Sequence, residues 1–138
     1  MMRIFFDSSA FAKRYVPEEG SNEAMLWCDK ATELALAVIA LPEIISAFCR
    51  LKRETRITDD QYQRLKLALF QDVEDIAICD LTPEVLHYSV QGLENHILRG
   101  MDSIHVGCAL AWQAEFFISS DRRQCTAAVA LGLRVVSL

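Results

Sequence analysis

Short apolar runs alternate with longer amphipathic segments along this chain, a pattern typical of an α/β domain with a parallel sheet. The apolar runs predict about five strands, at 2–6, 34–39, 76–79, 115–119 and 133–136. Because crossovers between parallel strands are right-handed and carry helices onto both faces of a sheet, we expect a three-layer α/β/α sandwich.

Capping signals divide the intervening segments into about seven predicted helices. They span 8–15, 21–30, 42–56, 58–73, 82–96, 102–114 and 122–131. Ser21, Thr58 and Thr82 are predicted N-caps, and Gly132 is expected to close the last helix. Pro42 is expected at the first helical position, where its missing N–H costs nothing.

The chain has 138 residues, which fits one domain over 1–138. The longest apolar run, 34–41, is far shorter than the roughly 20 residues that a membrane-spanning helix needs. Asp7 interrupts the apolar N-terminus, which argues against a signal peptide. We therefore expect a cytoplasmic protein that does not contact a membrane.

Composition places few further limits on the function. Five cysteines without a CxxC pair indicate reduced core residues, although His105 and Cys108 are spaced to share a metal on a helix. The net charge of −5 is unusual for a nucleic-acid binder, because phosphate binding usually requires a basic field. Local basic clusters would have to guide such a substrate.

Four acidic residues stand at the junctions between predicted elements. Asp7 and Asp121 each follow an apolar strand, whereas Glu43 and Asp102 each lie at the start of a helix. Taken singly, each acid has an ordinary structural explanation as a helix cap or as a partner of the helix dipole. Taken together, these junctions can converge at one edge of a parallel sheet, where ligands bind.

Four clustered carboxylates would repel one another and raise one another's pKa values. A bound Mg²⁺ or Mn²⁺ would remove that penalty, since both ions prefer hard oxygen ligands. Such an ion could activate a water, orient a phosphate and stabilise the leaving oxygen. The acids therefore predict a metal-dependent hydrolase of phosphodiesters.

The same stretches resemble the PIN-domain nucleases, and most closely the VapC-type toxin ribonucleases. The matching segments are FDSSAFAK (6–13), PEIISA (42–47), MDSIH (101–105), SSDRR (119–123) and ALGL (130–133). They occur in the family's order and extend over nearly the whole chain.

The resemblance implies the strand order 3-2-1-4-5 and an Mg²⁺- or Mn²⁺-dependent endoribonuclease. It also implies a homodimer and a small cognate antitoxin as partners, besides the RNA substrate. The family's acids correspond to Asp7, Glu43, Asp102 and Asp121, of which the three aspartates would bind metal. Ser9 and Ser119 correspond to polar helpers of the site. Because serines stand where part of the family has an extra acid, the number of metals is left open.

Several other residues have two readings. Arg122, Arg123 and Arg50 could contact RNA phosphates or simply lie on solvated helix faces. His105 could act as a general base, but a buried, hydrogen-bonded histidine is the simpler explanation.

The aromatic residues Trp27, Trp112, Phe48, Phe70 and Phe116 have core spacing. In contrast, Met25, Leu26, Leu65 and Leu69 look exposed, either as a groove for an antitoxin helix or as ordinary core.

Two further hypotheses compete with the nuclease. A PIN fold used only for protein or RNA binding would need no complete set of acids. The second alternative is a different Mg²⁺-dependent α/β protein. A phosphatase of the haloacid-dehalogenase type should carry an aspartate where this chain has Ser9. A receiver domain should carry an acidic pair before the phosphorylated aspartate and a late lysine on a strand, and neither pattern is evident.

Overall fold

A parallel five-stranded sheet organises the chain, and the computed structural model describes residues 2–138. The strands are β1 (Arg3–Phe6), β2 (Glu33–Ala37), β3 (Ala77–Cys79), β4 (Phe116–Ser119) and β5 (Arg134–Ser137). The helices are α1 (Ser8–Ala12), α2 (Ser21–Lys30), α3 (Ala40–Arg53), α4 (Asp59–Asp72), α5 (Pro83–Asn95), α6 (Gly100–Trp112) and α7 (Arg122–Ala130). A short 3₁₀ turn at Val73–Asp75 precedes β3.

The strand order is β3-β2-β1-β4-β5, and every neighbouring pair is parallel. This confirms the predicted fold class and order. Because side chains alternate along a strand, Ile4 and Phe6 of β1 enter one core and Phe5 enters the other. Helices α1 to α4 cover the first core and α5 to α7 the second, which makes three layers.

Predicted helix starts were right where the cap is local to the sequence. Thr58 caps α4 in a capping box with Gln61, and Thr82 caps α5 ahead of Pro83. Three starts were wrong. Helix α3 begins two residues before Pro42, α6 begins two residues before Asp102, and Gly20 rather than Ser21 is the N-cap of α2.

Burial corrects two readings of α4. Phe70 is exposed rather than part of the core, and Leu69 is completely buried rather than exposed. Consecutive residues point in different directions around a helix, so an error in the phase of the apolar face exchanges the two. Helix α4 has only a weakly amphipathic sequence, which makes that phase hard to assign.

Helices α5 and α6 approach each other unusually closely at Gly107. A Cβ atom there would lie 2.7 Å from the carbonyl oxygen of Val85, closer than real Cβ contacts occur. Ser89 and Ser103 hydrogen-bond across the same interface. Since α6 also carries Asp102, this contact fixes the position of the helix relative to the site described below.

All five cysteines are free, as expected for core thiols. The predicted alternative of a shared metal is not supported, because the Cys108 thiol points to the carbonyl of Cys79 while His105 bonds to another residue. Burial raises the pKa of the Cys108 thiol to about 12. Within residues 2–138 we find no helix long and apolar enough to span a bilayer.

Candidate active site

One cleft of about 240 Å³ opens at the carboxyl end of the sheet. The four predicted acids, Asp7, Glu43, Asp102 and Asp121, all line it. They come from the end of β1, the first turn of α3, the first turn of α6 and the N-cap of α7. The fold thus brings together side chains that are far apart in the sequence, as the parallel topology predicts.

Asp7 is the most buried of the four acids, with no exposed surface. It caps α1 by accepting a hydrogen bond from the backbone N–H of Ala10 at 2.9 Å. The hydroxyls of Ser9 and Ser119 donate to its carboxylate at 2.8 and 2.7 Å. Burial nevertheless raises the pKa of Asp7, because these hydrogen bonds and the nearby His105 compensate only part of the desolvation.

Glu43 lines the same cleft as Asp7 and is held by two donors. His105 Nε2 and Ser8 Oγ both lie 2.6 Å from the same carboxylate oxygen, Oε1. The hydrogen bond from His105 is the main reason why the pKa of Glu43 is lowered, and burial opposes it. Glu43 is therefore an anion that stays half-exposed to the cleft.

Asp102 and Asp121 form the more open half of the site. Asp121 Oδ1 caps α7 by accepting the backbone N–H groups of Arg123 and Gln124 at 2.9 and 3.1 Å. Asp102 Oδ2 accepts the N–H of Arg99 at 3.3 Å, and its Oδ1 accepts the side-chain amide of Gln124 at 3.0 Å. Gln124 therefore touches both acids, one through its backbone and one through its side chain.

The sequence did not indicate Ser8 or Gln124 as residues of the site. For His105 it favoured a buried, hydrogen-bonded structural residue over a general base. His105 is indeed buried and hydrogen-bonded, but its partner is one of the site acids. Helical spacing gave one usable signal for Gln124, because it stands three residues after Asp121 on α7 and so projects from the same end of that helix.

The predicted substrate arginines fall into two groups. Arg122 and Arg123 lie with Asp102 and Asp121 around a shallow depression beside the cleft, where Arg99 joins them. Arg50 instead lines a separate groove that runs from Ser9 along α3. The first group is the better placed to meet a phosphate bound at the acids.

The chemistry of the cleft matches a hard divalent cation. Its donors are carboxylate oxygens together with the side-chain oxygen of Gln124, which is buried and has no hydrogen-bond partner among residues 2–138. Asp7 is a desolvated acid whose charge a cation would offset. Backbone N–H groups hold Asp102 and Asp121. Across residues 2–138 no group of three acidic, His or Cys side chains is arranged to hold a metal ion, so the match lies in the chemistry of the donors and not in a preformed ligand geometry.

Solved structures share this fold along almost the whole chain. VapC20 from Mycobacterium tuberculosis, a toxin that cleaves the sarcin–ricin loop, aligns with a TM-score of 0.69 and 16% identity, covering 98% of this chain and 99% of that one. A toxin–antitoxin complex from Klebsiella pneumoniae aligns with a TM-score of 0.68 and 18% identity, covering 97% and 96% of the two chains. At these identities the likeness establishes the fold.

Sequence comparison extends this result from the fold to the family. Comparison with models of protein families found no match. Ribonuclease VapC45 of Mycobacterium tuberculosis (strain CDC 1551 / Oshkosh) is 33% identical over 144 aligned positions, which cover 98% of this chain and 95% of that protein. The chain therefore belongs to the VapC family of PIN-domain ribonucleases.

Proposed function

We propose that this protein is a divalent-metal-dependent endoribonuclease and the toxin of a toxin–antitoxin pair. The observation that carries the proposal is the single cleft lined by Asp7, Glu43, Asp102 and Asp121. A relative named as a ribonuclease and a neighbour named as an RNA-cleaving toxin support the choice of RNA as substrate.

The three aspartates would hold Mg²⁺ or Mn²⁺, since all three line the cleft and a cation would offset the charge of the most buried one. A bound ion would lower the pKa of its water and stabilise the negative charge on the departing oxygen. Ser9 and Ser119 keep Asp7 oriented by donating to its carboxylate.

Glu43 would accept the proton of the attacking water. Its lowered pKa keeps it ionised, and its position on the rim of the cleft leaves it accessible. Arg122 and Arg123 would contact the phosphates on either side of the cut, because their depression adjoins the acids. These contacts would partly offset the acidic character of the chain.

The direct test measures cleavage of a structured RNA with Mn²⁺ or Mg²⁺ and with EDTA. We expect cleavage with either ion, none with EDTA, and cleavage that is roughly 10³-fold slower by Asp7→Asn, whose side chain keeps the shape of the carboxylate. Asp60→Asn is the matched control, because Asp60 is exposed and lies outside the cleft. Full activity of Asp7→Asn would contradict the site, whereas RNA binding without any cleavage would favour a non-catalytic binding module.

A cognate antitoxin is the proposed protein partner, in keeping with the toxin–antitoxin complex among the structural neighbours. Its apolar helix would contact the exposed side chains of α2 and α4. These are Met25, Leu26, Leu67 and Phe70. We expect Leu26→Asp to weaken antitoxin binding in a pull-down with the purified partner while RNA cleavage persists. Unchanged binding would remove α2 from this surface.

We also propose a homodimer formed through α5. Exposed apolar side chains recur at helical spacing along this helix and continue past its end. They are Leu86, Val90, Leu93, Ile97 and Met101. Sedimentation of Val90→Glu should show monomer where the wild type shows dimer. A monomeric wild type would contradict this proposal.

A cytoplasmic location stays a prediction.

A further inference from the structure

A polar side chain is buried in an otherwise apolar part of α6 without an evident structural need. His105 is 1% exposed, and its helix neighbours Val106, Cys108 and Ala109 belong to the core. Burying a polar ring costs free energy unless its hydrogen bonds compensate the lost hydration. The contacts that His105 makes should therefore show what the residue is for.

Those contacts are confined to the candidate site. Nε2 lies 2.6 Å from Glu43 Oε1 and 3.3 Å from Ser8 Oγ, whereas Nδ1 is buried and has no partner within residues 2–138. An ionised carboxylate can only accept, so the proton of this hydrogen bond must be on Nε2. The interaction fixes both the tautomer of the ring and the position of Glu43.

The arrangement distinguishes the two oxygens of Glu43. Oε1 receives both His105 and Ser8, and Oε2 accepts no hydrogen bond from the described part of the chain. Two donors on one oxygen hold the carboxylate against rotation about its last bond. The second oxygen is left available to a water in the cleft, as a proton acceptor requires.

We propose that His105 is a positioning residue that orients Glu43 for proton transfer in the reaction. This inference rests on the proposed ribonuclease function and assigns His105 no contact with RNA. The histidine acts by placing an N–H at one fixed point beside Oε1, and Ser8 assists as a second donor to the same oxygen.

The chemistry of the side chains offers a matched pair of variants. In glutamine, Nε2 is as many bonds from Cα as Nε2 is in histidine, so His105→Gln can return a donor to the same point. His105→Met has similar length but no donor. We expect His105→Met to lower kcat about 10–100-fold with little change in KM for RNA, and His105→Gln to restore most of kcat. Equal rates for the two variants would overturn the proposal.

A double-mutant cycle separates positioning from general damage. In a Glu43→Gln background the two substitutions at 105 should give the same rate, because the group that His105 orients is already inactive. A tenfold loss that persisted in this background would mean that His105 acts elsewhere. Circular dichroism melts of each variant establish that the compared proteins are folded.

The outcome for Asp7→Asn keeps the two proposals apart. If wild type cleaves RNA and Asp7→Asn does so far more slowly, the function stands whatever happens at 105. If the wild type never cleaves, proton NMR still tests the contact. We expect a solvent-protected, downfield Nε2 proton of His105 that moves upfield in Glu43→Gln, because hydrogen bonds to charged acceptors are shorter. A resonance unaffected by that change would refute the assignment.

Discussion

Asp7 and Asp121 both follow apolar strands and both cap the helix that comes next, yet their carboxylates lie in different surroundings. Asp7 ends the central strand β1, has no exposed surface and receives two serine hydroxyls besides its backbone donor. Asp121 follows β4, lies half-exposed at the mouth of the cleft and receives two backbone N–H groups on one oxygen.

The difference shows that one local pattern can produce two electrostatic roles. A strand followed by Asp places the acid at the carboxyl end of the sheet in both cases. Burial differs because Asp7 directly follows β1 and its carboxylate contacts Ser9 of α1 and Ser119 of the neighbouring strand β4, whereas Ser120 separates Asp121 from the end of β4. Burial raises the pKa of Asp7, so this carboxylate should depend strongly on a cation.

The largest expected effect is on catalysis. Asp7→Asn should lower kcat by roughly 10³-fold, which corresponds to several kcal/mol of charge stabilisation in a water-poor site. Asp121→Asn should lose only about 10-fold, because solvent screens this half of the cleft and the amide oxygen still caps α7. Single-turnover cleavage at saturating Mn²⁺ measures both rates. Equal losses of kcat would show that burial does not decide which of the two acids contributes more to catalysis.

The next effect concerns metal binding without any reaction. Saturating Mn²⁺ should raise the Tm of the wild type by several degrees, because a ligand that binds only the folded state stabilises it. Asp7→Asn should show almost no rise, and Asp121→Asn a reduced one. Differential scanning fluorimetry in the absence of RNA provides this comparison. A full rise in Asp7→Asn would place the ion elsewhere.

A smaller effect concerns the Tm in EDTA, which we expect Asp7→Asn to raise rather than lower. Burial raises the pKa of Asp7 above its ordinary 3.8, so the folded state binds the proton more tightly and the charged form is destabilising at neutral pH. Asp7→Asn should therefore melt above the wild type at pH 7. This advantage should shrink as the pH falls through the raised pKa. Asp121→Asn serves as the reference, and a lower Tm for Asp7→Asn would contradict the argument.

The smallest effect tests the cap at Asp121. Asp121→Ala removes the acceptor of two backbone N–H groups, and loss of such a cap costs about 1 kcal/mol. Asp121→Asn should cost much less, because asparagine is an equally good cap. Urea unfolding of the two variants in EDTA measures the difference. Identical midpoints would mean that water replaces the cap without loss.

Sequence reasoning succeeded where the signal is local. Threonine caps and the strand–acid junctions depend on neighbours a few residues apart, and both occur in the structure as predicted. It failed for Pro42, since proline is tolerated throughout the first helical turn and its presence does not mark the first residue. The burial of Leu69 and the exposure of Phe70 likewise depend on which face of α4 meets α3.

The details of the site were beyond sequence reasoning for a different reason. Glu43 and His105 are 62 positions apart, and their side chains meet only because the fold brings α3 and α6 to the same cleft. Gln124 reaches Asp102 across 22 positions through the packing of α7 against α6. Contacts of this kind leave no spacing in the chain to read, so the acids were found and their partners were not.

Because of the close contact of α5 and α6 at Gly107, the site also constrains residues that do not line it. Because backbone meets backbone there, the two helices behave as one solid piece, and any side chain introduced at 107 would wedge them apart. The wedge would tilt the helix that carries Asp102 and His105. Sequence change at the interface of α5 and α6 is therefore limited by the geometry of the cleft, although Val85, Ser89 and Gly107 do not line it.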